Sequence, residues 1–247
     1  MSPAGGLREP LLTFAAATAL TFALALVGGA VPLVRENLQV LIAVIFFYAP
    51  SVAGRISGRE FDYRTGGLRL DPVRLNLMVL GVALAVTFPL FVVGFFWFYG
   101  TVCSGHGGLL APIASAFASL CDRWLGTGGG HLALPTRFWL LALNQLIVIA
   151  IPEEFFFRGY LMSRLEERWP SRRRLLGAPV GIALLVSSAL FALGHLVVIP
   201  NPQRLAVFFP ALVFGWMRAR TGSIAAGAAF HALCNLFSDV LHTSFFR

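Results

Sequence analysis

The sequence predicts an all-α polytopic membrane protein, a bundle of about seven transmembrane helices with a polar site inside the bundle. Three observations carry this expectation. The chain of 247 residues is 57% hydrophobic with a mean hydropathy of +0.79, and 12% of it is charged, where a soluble domain has about 25%. Its apolar residues fall in long runs separated by short polar segments, and its 19 basic residues are all arginine, nearly all of them in those segments. A net charge of +8 would suit a nucleic-acid partner if it were spread over a soluble surface. Confined to the breaks between apolar runs, arginines read instead as insertion signals and contacts to anionic headgroups, so the partner is the lipid bilayer and no nucleic acid is expected. The lack of lysine excludes a Ser-Lys dyad, a Schiff-base lysine and a Walker-A phosphate loop.

The first apolar run, Leu11 to Val34, is too long for a signal-peptide core and reads as the first span. After the turn Arg35-Glu36-Asn37, Leu38 to Val52 forms the second, near the lower length limit. An arginine-rich polar segment then leads to Leu75–Tyr99, interrupted by Pro89, which neighbouring helices can accommodate. The Gly-rich stretch 101–137 is a long connection, and its apolar piece Leu109 to Leu120 is too short to span. The fourth span begins near Phe138, becomes polar through Arg164, Glu166 and Glu167, and stops at Trp169-Pro170. Pro179 to Ile199, Leu205 to Met217 and Ile224 to about Leu241 complete the seven. Residues 1–137 thus form an N-terminal half with spans one to three and a long loop, and 138–247 hold spans four to seven.

Arginines gather after spans two, four and six. The positive-inside rule then puts the N-terminus in the cytoplasm and the loop 101–137 outside, in a bacterial inner membrane. In an oxidising compartment Cys103 and Cys121 could close that loop with a disulfide, or stay two unrelated thiols. Cys234, inside the seventh span, is a small packing residue.

The chemistry is concentrated in Pro152-Glu153-Glu154-Phe155-Phe156-Phe157-Arg158, directly after the run Leu146 to Ile151. Each ionisable group at membrane depth costs roughly 2.5–3.5 kcal/mol on insertion scales, so such groups mark sites with partners. Glu154 and Arg158 share a helix face and offset one another. Glu153 lies about 100° round the helix and needs a partner from elsewhere. Two later spans offer polar groups: His195, one turn after Phe191, and His231 with Asn235 one turn further on. In lipid each needs a partner, and all are satisfied if they meet.

Such a cluster suits hydrolysis. Glutamate and histidine in a low-dielectric site can take a proton from water and pass it to a leaving amine, and a His with an Asn supplies donors for an oxyanion. The alternatives are weaker. His-Glu-x-x-His is missing, although His195, His231 and Glu153 could bind zinc as a His₂Glu set. Ser187, Ser188 and Ser223 lie in no nucleophile elbow, and Ser223 reads as the N-cap of the last helix. His106, His131 and His242 lie in or near loops. A non-enzymatic immunity or assembly protein, whose cluster only locks the bundle, and a proton or ion carrier are the other classes; a carrier needs polar groups flanking the cluster, and few occur.

Glu153-Glu154-x-x-x-Arg158, Phe191-x-x-x-His195 and His231-x-x-x-Asn235, in this order on late spans, resemble the motifs of the CPBP family. These are intramembrane glutamic proteases that include CAAX prenyl protease 2 and bacterial proteins linked to bacteriocin processing and immunity. The resemblance covers about Phe138 to Asp239. It implies Glu153 and His195 as the water-activating pair, His231 and Asn235 as the oxyanion site, Glu154 and Arg158 as support, and no metal or other cofactor. The implied substrate is a membrane-anchored protein. A chain resembling the myxosortase branch would act on the C-terminal sorting segment of an exported protein, and a CAAX-type protease on a lipidated C-terminus. His195, about 8 Å from the outer end of its span, favours the extracytoplasmic side.

Overall fold

The computed structural model describes residues 6–104, 117–198 and 200–247. Most of the apolar piece expected at Leu109 to Leu120, together with His106 and the end of the fifth span at Ile199, lies outside them. Seven helices of 14 residues or more occur among the described residues: α1 (Arg8–Ala30), α2 (Leu38–Ser57), α3 (Val73–Cys103), α4 (Phe138–Arg168), α5 (Ile182–Val198), α6 (Phe208–Thr221) and α7 (Ala225–Phe245). The all-α polytopic expectation holds. The first four are long and apolar enough to cross a membrane by length and composition, and α5 is a shorter apolar helix. Between α4 and α5 the expected loop contains an antiparallel hairpin, β1 (Arg173–Leu175) with β2 (Ala178–Val180).

Two compact units make up the chain. The first comprises Met1–Leu80 and Leu143–Ala232. Its core surrounds α4, where Phe156, Tyr160, Leu161 and Leu165 are fully buried. Phe46 of α2 stacks on Phe156 with centroids 4.9 Å apart. The loop after α2 folds back onto α4: Tyr63 and Phe61 pack on Phe155 at 4.6 and 5.9 Å, and the Tyr63 hydroxyl accepts from Ser51 and donates to the Phe47 carbonyl. A Cβ on Gly159 would stand 2.7 Å from the Gly66 carbonyl oxygen, so glycine is what lets loop and helix touch. The loop is itself tied by Asp62, whose carboxylate accepts from the backbone N–H of Thr65 and Arg64 and is held below its ordinary acidity range by them.

The second unit comprises Gly81–Ala142 and Leu233–Arg247. Cys103 and Cys121 form a disulfide, so of the two sequence readings the paired one is present. Phe95, Trp124 and Phe246 pack as a cluster, with Trp124 and Phe246 also joined as a β-bridge. Ser244 accepts from the Ala133 N–H at 2.9 Å.

Candidate functional site

The helix α4 is not uniform. Asn144–Ala150 and Phe155–Leu161 are π-helical, and the short α-helical piece between them, Ile151–Glu154, carries the two glutamates. Pro152 explains part of this: it has no N–H, and its ring clashes with the carbonyl four residues back in a regular helix, which a widened turn relieves. In the second widened turn the Phe157 carbonyl accepts from the Met162 N–H and, on its other side, from the Ser187 hydroxyl of α5 at 2.7 Å. Ser187 therefore acts as a strut between α4 and α5.

Glu154 and Arg158 are each 1% exposed. Arg158 Nη1 donates to Glu154 Oε1 at 2.9 Å, as their spacing of four predicts, and Nη2 reaches the Ala211 carbonyl of α6 at 3.3 Å. The guanidinium carbon lies 4.2 Å from the Phe191 ring centroid and 5.2 Å from that of Phe214. A buried guanidinium between one carboxylate and two aromatic faces is stabilised from several sides. A Cβ at Gly227 of α7 would stand 3.5 Å from Glu154 Oε2, so this glycine lets α7 approach the carboxylate.

His231 of α7 joins the two glutamates. Its Nδ1 lies 3.1 Å from Glu154 Oε1 and its Nε2 3.8 Å from Glu153 Oε2. Nδ1–H donates to the Glu154 carboxylate, and Nε2 faces Glu153. The ring is stacked on Phe214, centroids 4.9 Å apart and planes 13° from parallel, and Phe191 meets it edge-on at 5.9 Å. Among the described residues no group hydrogen-bonds Glu153 Oε2, a buried oxygen. The cluster thus holds two carboxylates, one guanidinium and one imidazole.

The family resemblance implies Glu153 and His195 as a pair; the imidazole seen near Glu153 is that of His231. His195 of α5 contacts Phe191. Its Nδ1 is 2.9 Å from the Phe191 carbonyl and its ring 4.5 Å from the Phe191 ring. That carbonyl must accept from Nδ1–H, leaving Nε2 of His195 free to act. Phe191 is therefore the ring shared by both imidazoles and Arg158. Asn235 follows His231 by one turn of the continuous helix α7. Ser223 accepts from the Ala225 N–H at 3.1 Å, the capping role expected for it. Among the described residues no three His, Cys, Asp or Glu side chains are grouped as a metal ion needs, so the His₂Glu set is not assembled. Phe214 and the Ala211 carbonyl were not indicated by the sequence; an aromatic and an alanine in an apolar run give no signal of what they face.

A multi-pass membrane protein with a buried cluster of two glutamates, an arginine and a histidine on α4 and α7 is the class this arrangement defines. Residues 135–237 match the family model described as type II CAAX prenyl endopeptidase Rce1-like. Comparison with curated proteins and with solved structures gives no match.

Proposed function

We propose that the chain is an intramembrane glutamic endopeptidase that hydrolyses a peptide bond near the membrane anchor of a tethered protein. The observation that carries this reading is the Glu153 carboxylate oxygen, buried, without a donor, and 3.8 Å from His231 Nε2. Two acceptors at that spacing can both receive hydrogen bonds from one water molecule, which is what general-base activation requires. Glu154 fixes the ring and tautomer of His231 through Nδ1, and Arg158 fixes Glu154. The water gives a proton to the Glu153/His231 pair, its oxygen attacks the scissile carbonyl, and the proton returns to the leaving amine. His195 Nε2 supplies the stabilisation of the developing oxyanion, so in this reading His195 and His231 exchange the roles that the family resemblance implies.

The substrate class is a membrane-anchored protein cut beside its anchor. The end of α5 lies three residues beyond His195, about 5 Å along the axis, which favours a substrate entering from that end, as a C-terminal sorting segment of myxosortase type does. The family description favours a lipidated C-terminus of CAAX type. The test is to follow tethered proteins in cells carrying the wild type or Glu153→Ala and to sequence the new terminus of any that changes size. Loss of processing in the variant supports the reading, and the new terminus decides between the two substrates. Unchanged processing removes proteolysis and leaves the cluster as a structural lock.

A further inference from the structure

The hairpin between α4 and α5 carries the inference, and it does not depend on the proteolytic reading. Its strands pair Arg173 with Val180, Arg174 with Pro179 and Leu175 with Ala178, so Leu176 and Gly177 form the two-residue turn. Both have positive φ, 48° and 81°. Such turns favour Asn-Gly or Gly-Gly because a side chain at positive φ crowds its own backbone. Here the first turn position is leucine, and it is 79% exposed, beside Leu175 at 57%. A bulky apolar residue in a disfavoured conformation at the outermost point of a turn is costly twice over in water.

The charges within it are of one sign, Glu166 being held at its base by Ser171. Arg172, Arg173 and Arg174 are all exposed, and the sequence has no Asp or Glu between Glu167 and Asp239. The hairpin is also held in place. Trp216 Nε1 of α6 donates to the Leu175 carbonyl at 2.9 Å, Ala178 is fully buried, and a Cβ on Gly177 would come 3.0 Å from Arg220 Nε. It links the polar end of α4, at Arg168, to the start of α5, where the chain leaves one apolar helix and enters the next.

We infer that this hairpin is an interfacial anchor: Leu175 and Leu176 insert among acyl chains while Arg172, Arg173 and Arg174 bind the phosphates of anionic phospholipids. Two apolar residues at the tip and three cations behind them match the acyl-to-headgroup order of a leaflet. Burial in the leaflet removes the cost of exposing Leu176, and arginine pairs with phosphate through its planar fork. Since β1 begins five residues after the end of α4, the anchor sets the depth of the helix that holds Glu153 and Glu154.

The test uses the full chain with Cys234→Ser, its disulfide intact, and one added cysteine, Leu176→Cys or Leu175→Cys, labelled with an environment-sensitive fluorophore. The protein is placed in vesicles of phosphatidylcholine with or without phosphatidylglycerol. Blue-shifted emission at both positions, quenched by lipid-phase spin label only when phosphatidylglycerol is present, supports the anchor. In the variant Arg172→Gln/Arg173→Gln/Arg174→Gln, phosphatidylglycerol co-purifying with the protein falls roughly fivefold for each arginine removed. Retention of that lipid when inorganic phosphate is added in excess assigns the site to headgroups of bilayer lipid, and its displacement by free phosphate overturns the insertion. Water-like emission with iodide quenching in anionic vesicles overturns the proposal. So does tip burial that is equal without phosphatidylglycerol, or that needs an added acidic peptide.

Discussion

Two networks of glutamate and arginine lie on α4 a few turns apart, and they differ in one respect that separates a clamp from a site. The clamp gathers round Glu9 of α1. Tyr160 donates to Glu9 Oε1 at 2.8 Å and Arg59 Nη1 to Oε2 at 2.8 Å, while Glu167 holds Arg59 and receives Arg164 Nη1 at 3.0 Å. Two carboxylates face two guanidiniums, and both oxygens of Glu9 have donors. The site has two carboxylates and one guanidinium, and Glu153 Oε2 is left without a donor. Identical residue types therefore give cross-bracing where donors and acceptors balance, and a carboxylate oxygen open to a further donor where they do not.

The sharpest way to break this comparison is to remove the unbalanced group. Glu153→Gln should reduce processing by about 10²–10⁴-fold, the usual contribution of a positioned acid–base group, while leaving thermal stability in detergent unchanged or raised. His231→Ala should cost a similar factor, and the double variant little more than either alone, because the residues act as a unit. Additive losses would mean that Glu153 and His231 serve separate steps. Next in size is Arg158→Met. It leaves Glu154 buried and unpaired, and removing one partner of such a pair costs about 3–5 kcal/mol. The double variant Arg158→Met/Glu154→Gln should recover most of that loss without recovering processing. Recovery of both would show that Glu154 has no part in holding His231.

The half of the comparison that concerns the site was legible in the sequence, and the other half was not. Glu153, Glu154 and Arg158 stand out because charge inside an apolar run has few explanations, and His195, His231 and Asn235 stand out for the same reason on later runs. The contact between His231 and Glu154 did not follow, because rank along the chain says nothing about which ring lies against which carboxylate. Nor did the π-helical turns: Pro152 signals a disturbance of the helix, but not whether the chain kinks or widens there. Glu9 gave no signal, since its partners Arg59, Tyr160 and Arg164 are remote in sequence. The hairpin was hidden by its turn, where Leu176 takes a position that pattern reasoning gives to glycine or asparagine.

Phe214 offers a finer test of how the site is held. Its ring is parallel to His231 and lies within 5.2 Å of the Arg158 guanidinium carbon, contacts worth about 0.5–1.5 kcal/mol beyond burial. Phe214→Leu should therefore lower kcat roughly tenfold or less with KM unchanged, and Phe214→Tyr should restore it. An equal loss in both variants would mark packing volume, rather than the aromatic face, as what His231 needs.

The smallest effect belongs to the clamp. Glu9→Gln keeps an acceptor for the Tyr160 hydroxyl but removes the charge that faces Arg59, whose side chain is 35% exposed. Exposed or half-exposed ion pairs contribute about 0–1 kcal/mol, and Arg59 retains Glu167. Thermal unfolding in detergent should shift only slightly and substrate processing should not change. A large loss of processing with normal unfolding would erase the distinction between the two networks, since a balanced set of charges at the polar end of α4 would then be controlling chemistry at Glu153. Normal processing with a small loss of stability, set beside the opposite pattern for Glu153→Gln, would assign each network its role on the same helix.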